Sequence, residues 1–123
     1  MASPCLRDRR VLVVEDEYLI AVSLRDHLQA IGSTVIGPVP SVEKAIQLIE
    51  SNPRIDAAIL DLNLGGSKAY PVADALQARK IPFIFASGYG DEDLSDLYPN
   101  VRNCQKPCPF DEMEAFLASA LSG

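Results

Sequence analysis

Five short apolar runs alternate with five amphipathic stretches along the chain. The first run, Arg9 to Val14, is rich in β-branched residues and stops at three consecutive carboxylates, Glu15, Asp16 and Glu17. Ile20, Leu24, Leu28 and Ile31 then recur at helical spacing, and Gly32 ends that pattern. Thr34 to Gly37 predicts a short second strand, closed by Pro38 and Pro40. Ser41 suits a helix N-cap, and Val42, Ala45, Ile46 and Ile49 give the helix an inner face that stops at Asn52 and Pro53. The run Ala57 to Leu60 ends at Asp61, with Gly65 and Gly66 soon after; this reads as a strand buried on both faces. Ala69 to Arg79 predicts a helix facing inward with Val72, Ala73 and Leu76, and Pro71 is tolerated in its first turn. Ile81 to Ala86 predicts a fourth strand. A short acidic helix follows over Asp91 to Leu97, then a rather polar fifth strand from Val101 to Gln105. Phe110 to Leu121 predicts a last helix with Met113, Phe116, Leu117, Ala120 and Leu121 on one face.

Strands that alternate with helices in this way imply an α/β fold, a doubly wound parallel sheet covered on both faces with right-handed crossovers. At 123 residues the chain is expected to be a single domain over 1–123, with a loose tail over 1–8. The net charge of −6 makes a poor partner for a phosphate backbone, so direct nucleic-acid binding is not expected. No apolar run approaches the length that spans a bilayer, and the polar N-terminus does not read as a signal peptide. Cys5, Cys104 and Cys108 follow no disulfide framework and fit a reducing cytosol, so a cytoplasmic location is expected. With His27 as the single histidine, a zinc site at Cys104 and Cys108 lacks ligands.

Ligands bind at the carboxyl ends of strands in open α/β sheets. Here those ends carry Glu15 and Asp16 after the first strand, Asp61 after the third, Ser87 after the fourth and Lys106 after the fifth. Each has an ordinary reading alone: helix-dipole charge, a turn cap, a turn serine, a surface lysine. Together at one sheet edge they need a common explanation. Carboxylates packed that closely cannot all stay ionised unless a cation joins them. An all-oxygen donor set points to Mg2+. A lysine and a serine beside such a site suit a phosphoryl group, and a carboxylate can itself accept one as an aspartyl-phosphate. Asp61, between the metal carboxylates and Ser87, is the natural acceptor.

These residues fall in four motifs: Val13-Val14-Glu15-Asp16-Glu17, Leu60-Asp61-Leu62-Asn63-Leu64, Ala86-Ser87-Gly88 and Lys106-Pro107. The chain thereby resembles the receiver domain of two-component response regulators. That resemblance implies a flavodoxin-like five-stranded sheet of order 2-1-3-4-5. It implies Asp61 as phosphoacceptor, and Mg2+ held by Asp16, Asp61, the backbone carbonyl of Asn63 and, through water, Glu15. Ser87 would be the switch hydroxyl, Lys106 the partner of acceptor and phosphoryl group, and Lys106-Pro107 a cis bond. The implied partners are a histidine kinase and a downstream protein target or phosphotransfer protein. Such a protein signals rather than catalyses, at most supporting its own phosphotransfer and dephosphorylation. Receivers usually carry a switch aromatic three positions before the lysine; Asn103 stands there instead. The segment Pro82 to Gly90 resembles receivers with a Phe-Ala-Thr-Gly-Tyr motif, which lack that aromatic, with Ser87 in place of the threonine. That resemblance implies a kinase of the HWE or related class.

The leading expectation is a stand-alone receiver phosphorylated on Asp61. A phosphorylation-independent interaction module of receiver fold is the alternative, motivated by the missing aromatic. A small aspartate-nucleophile phosphatase would need a second aspartate where Asn63 stands.

Overall fold

Side chains along a strand point alternately to opposite faces, and here both faces are apolar. The computed structural model describes residues 6–88 and 94–122. In β1 (Arg10–Val14) every residue after Arg10 is buried. Val11 and Val13 join one core cluster with Leu24, Leu28, Met113 and Leu117. Leu12 and Val14 join a second with Ala45, Ile49, Val72 and Leu76. β3 (Ala57–Asp61) divides the same way: Ala57 and Ile59 lie in the first cluster, Ala58 and Leu60 in the second. In β6 (Phe83–Ser87), Ile84 faces the first cluster, and Phe83 and Phe85 the second.

The helices follow from that division. α1 (Tyr18–Ala30) and α5 (Phe110–Ser122) cover one face. α2 (Val42–Ser51), α3 (Tyr70–Ala78) and α4 (Leu94–Leu97) contribute to the other. Ser41 caps α2 as expected, its hydroxyl accepting from the Lys44 N–H at 3.2 Å. The strands pair in parallel in the order β2-β1-β3-β6-β7, with β2 spanning Thr34–Val39 and β7 Asn103–Gln105. This is the expected 2-1-3-4-5 order. The numbering advances because β4 (Asn63–Leu64) and β5 (Ser67–Lys68) form a separate antiparallel ribbon.

Three local expectations change. β2 does not stop at Pro38: it runs to Val39, and after a register shift Val39 pairs with Val14. An edge strand tolerates a proline because one side of its ladder is unpaired. β7 is three residues long, shorter than the run from Val101. The tail expected over 1–8 is anchored from Leu6 onward: Leu6 is fully buried, its carbonyl accepts from the Ser33 hydroxyl at 2.6 Å, and Asp8 N–H donates to Gly32 O. The rest of that tail, 1–5, lies outside the described residues, as do Asp91 to Asp93 of the acidic helix. The bond between Lys106 and Pro107 is cis, as expected, and so is that between Gly37 and Pro38.

Gly37 sits at φ +96°, and a Cβ there would meet Val39 N at 2.9 Å and Val13 O at 3.0 Å. Both neighbours are backbone, so nothing flexible can yield. Gly65 at φ +57° has open space around the same position. Urea unfolding should therefore show Gly37→Ala destabilised by about 3 kcal/mol and Gly65→Ala by only about 1 kcal/mol.

Candidate functional site

The parallel register brings four strand ends to one edge of the sheet. β1 delivers Glu15, whose N–H is fixed by Val39 O at 3.0 Å. The elongated β2 thus holds the backbone of the site although it offers no reactive side chain. β3 ends on Asp61, which pairs with Ala86 of β6. β6 ends on Ser87 and β7 leads into Lys106, whose N–H donates to Ser87 O at 2.7 Å.

Glu15, Asp16 and Asp61 each offer a carboxylate oxygen, and these oxygens lie within 4.8 Å of one another. Glu15 and Asp61 are buried and Asp16 is exposed. The Lys106 ammonium stands 3.2 Å from Asp61 Oδ2 and 3.3 Å from Glu15 Oε1. Backbone donors orient the acids: Glu17 N–H to Glu15 Oε2 at 3.1 Å, Asn63 N–H to Asp61 Oδ1 at 3.2 Å, Gly65 N–H to Asp16 Oδ2 at 2.8 Å. The last bond explains the ribbon. Gly65 and Gly66 both adopt positive φ, as a tight two-residue hairpin turn requires, and the turn aims an N–H at Asp16.

Burial pushes the Glu15 carboxyl up to about 8, helped by its hydrogen bond to Asp61 and opposed by the Glu17 N–H. Burial also raises Asp16, but hydrogen bonds from the Gly65 N–H, Asp61, its own N–H and Glu15 together outweigh it and hold that acid below the ordinary aspartate value. Lys106 shows the converse balance: burial lowers it, and the charges of Asp61 and Glu15 together with its hydrogen bonds to both acids more than restore it. One ammonium does not neutralise three acids, and burial disfavours the charge on Glu15. An all-oxygen set with surplus negative charge can hold a hard divalent cation.

Ser87, 1% exposed, does not turn toward the acids: its hydroxyl donates to Asn103 Oδ1 on β7 at 2.6 Å. Sequence reading marked Asn103 only as a missing aromatic, and its contact with Ser87 depends on the β6–β7 pairing. A second feature was missed outright. Cys104 and Cys108, read as unlinked thiols, form a disulfide with Cα atoms 5.7 Å apart, inside the range of roughly 4.4–6.8 Å that such bonds span. A strand end followed by a turn brings residues four apart that close, which spacing alone does not reveal. Tyr89, which flanks the site in sequence, lies outside the described residues.

No family model matches the chain. Among the described residues, no helix is long and apolar enough to cross a membrane. The fold is similar to that of a response regulator receiver protein from Sinorhizobium medicae WSM419, with a TM-score of 0.86 at 20% identity, over 96% of this chain and 98% of that one. The curated phyllosphere-induced regulator PhyR of Methylorubrum extorquens is 30% identical over 91 residues, 72% of this chain. The chain spans about a third (34%) of that regulator's length. SdrG from Sphingomonas melonis Fr1 is 43% identical, with a TM-score of 0.79, over 94% of this chain and 98% of SdrG. A BeF3-activated conformation of SdrG, from Pseudomonas melonis Fr1, matches at the same 43% identity with a TM-score of 0.75, over 91% and 95% of the two chains. With the sheet order, the acidic cluster and the lysine at its strand ends, these likenesses show that the chain belongs to the response regulator receiver family.

Proposed function

We propose that this receiver accepts a phosphoryl group from a histidine kinase on Asp61 in a Mg2+-dependent reaction. It then signals through protein contacts or passes the group to a phosphotransfer protein. The kinase would be of the HWE or related class, on the strength of the Pro82 to Gly90 segment. The observation that carries the reading is the Lys106 ammonium, set between Asp61 and Glu15 at 3.2 and 3.3 Å on the carboxyl edge of the central strand. Such a cation pairs with the acceptor carboxylate and stands ready for a second anion.

In this reading an Asp61 carboxylate oxygen attacks phosphorus, the bond from phosphorus to the donor's imidazole nitrogen breaks, and an aspartyl-phosphate forms. Mg2+ would be held by Asp16, Asp61, the Asn63 carbonyl and, through water, Glu15, and it supplies neutralisation of phosphoryl charge. Asn63 N–H and Lys106 orient the acceptor, and the Gly65 N–H orients Asp16. The new dianion draws Lys106 and offers the Ser87 hydroxyl a stronger acceptor than an amide carbonyl.

Asn103 gives that last step a specific form. Before phosphorylation the Ser87 hydroxyl is committed to Asn103, and it must leave to reach a phosphoryl oxygen. The exposed Asn103 amide is then free to turn to water. The docking-module alternative is motivated by the missing aromatic; at that position Asn103 accepts a hydrogen bond from the Ser87 hydroxyl, which supports the phosphoacceptor reading.

Asp61→Asn should lower phosphoryl uptake from acetyl phosphate by at least about a hundredfold, read by phosphate-affinity electrophoresis. Removal of Mg2+ with a chelator should do the same to wild type. Wild-type yield from the variant would refute the acceptor assignment. Asn103→Ala should bind beryllofluoride about fivefold more tightly than wild type, the worth of one hydrogen bond no longer broken on activation. Weaker binding would mean that Asn103 supports the activated state instead.

A further inference from the structure

The disulfide encloses the site's lysine. Cys104 lies on β7 opposite Ala86 of β6 and is 1% exposed. Cys108 is half-buried against the cluster of Leu24, Leu28, Met113 and Leu117. Between them run Gln105, Lys106 and Pro107, so the loop that carries the ammonium is closed covalently at both ends. A cross-link over four residues removes little chain entropy compared with one over a long loop. Its effect is therefore local: it orders the Lys106 loop rather than bracing the domain. That loop follows a strand of only three residues at the end of the sheet order.

The bond is also within reach. Cys108 lines a cavity of about 600 Å³ together with Glu15, Lys106, His27 and Phe110. A small thiol entering there meets Cys108 first, while Cys104 is shielded behind it.

We propose that Cys104 and Cys108 form a reversible thiol–disulfide site, exchanging with a small thiol of the glutathione class, and that its redox state sets how firmly Lys106 is held on Asp61 and Glu15. The second half rests on the phosphoacceptor reading for its consequence in phosphoryl handling; the first half does not. In the reducing direction a glutathione thiolate attacks Cys108 Sγ, the bond between the two protein sulfurs breaks, and Cys104 leaves as a thiolate that takes up a proton. A second glutathione thiolate attacks the mixed disulfide, forming glutathione disulfide and releasing Cys108. In the oxidising direction glutathione disulfide takes two electrons from the pair, and the two protein thiol protons pass to the glutathione thiolates released.

The test equilibrates the full chain in glutathione buffers from reducing to oxidising, quenches with acid, alkylates free thiols and maps the peptides by mass, with Cys5 followed separately. The linked fraction of Cys104 and Cys108 should pass from none to complete across the series. A pair that never links, or that no buffer opens, overturns the redox site. Hydrogen exchange at the Lys106 amide, which donates to Ser87 O, should be about fivefold slower in the linked form. Equal exchange in the two forms overturns the coupling. The double variant Cys104→Ser, Cys108→Ser should exchange as the reduced form in every buffer; exchange that still follows the buffer overturns it as well. Beryllofluoride should bind the linked form about fivefold more tightly, and equal binding to both forms overturns control over phosphoryl handling. If neither form binds it, the phosphoacceptor reading fails, while hydrogen exchange still decides whether the disulfide holds the lysine.

Discussion

The Lys106 ammonium between Asp61 and Glu15 is the interaction on which the rest of the site depends. Two buried carboxylates and a third at the rim cannot share one edge of a sheet without compensation. Lys106 supplies part of it and backbone N–H groups another part, and burial still pushes the Glu15 carboxyl up. An acidic cluster of this kind can hold a divalent cation, and in the proposed reading it would then receive a phosphoryl dianion. The parallel sheet makes the arrangement possible because it delivers four chain segments to one edge while burying its apolar residues on both faces.

In the proposed reading the same geometry would tie acceptance to signalling. Ser87 and Lys106 sit on neighbouring strands joined by the bond from Lys106 N–H to Ser87 O, and Ser87 is tied sideways to Asn103. A phosphoryl group on Asp61 would compete for both side chains at once. Movement of either would reach β7, which stands at the end of the sheet with one strand neighbour among the described residues. An asparagine can carry such a change by exchanging a hydrogen bond, without the cavity that a rotating aromatic ring needs.

Much of this was legible in the sequence. β1, β3 and β6 are continuous apolar runs that end in polar residues, and burial on both faces leaves such runs little other choice. The acids and Lys106 were found because strand ends can be aligned before any side chain is placed. Edges and long-range contacts were not legible. Pro38 reads as a stop, yet β2 is an edge strand and continues past it to support Glu15. Gly65 and Gly66 read as a loop, because nothing nearby in sequence announces that their turn would serve Asp16. The partnership of Ser87 with Asn103, and that of Cys104 with Cys108, exist only once β6 and β7 are paired and the chain has turned after Gln105.

The most direct measurement is chemical. The chain is phosphorylated with acetyl phosphate and Mg2+, then treated with borohydride, which reduces an acyl phosphate to an alcohol and leaves free carboxylates untouched. Peptide sequencing by mass should find homoserine at position 61 and aspartate intact at position 16. Homoserine at another aspartate, or a phosphoryl adduct that borohydride does not touch, would contradict the account that Asp61 is the acceptor.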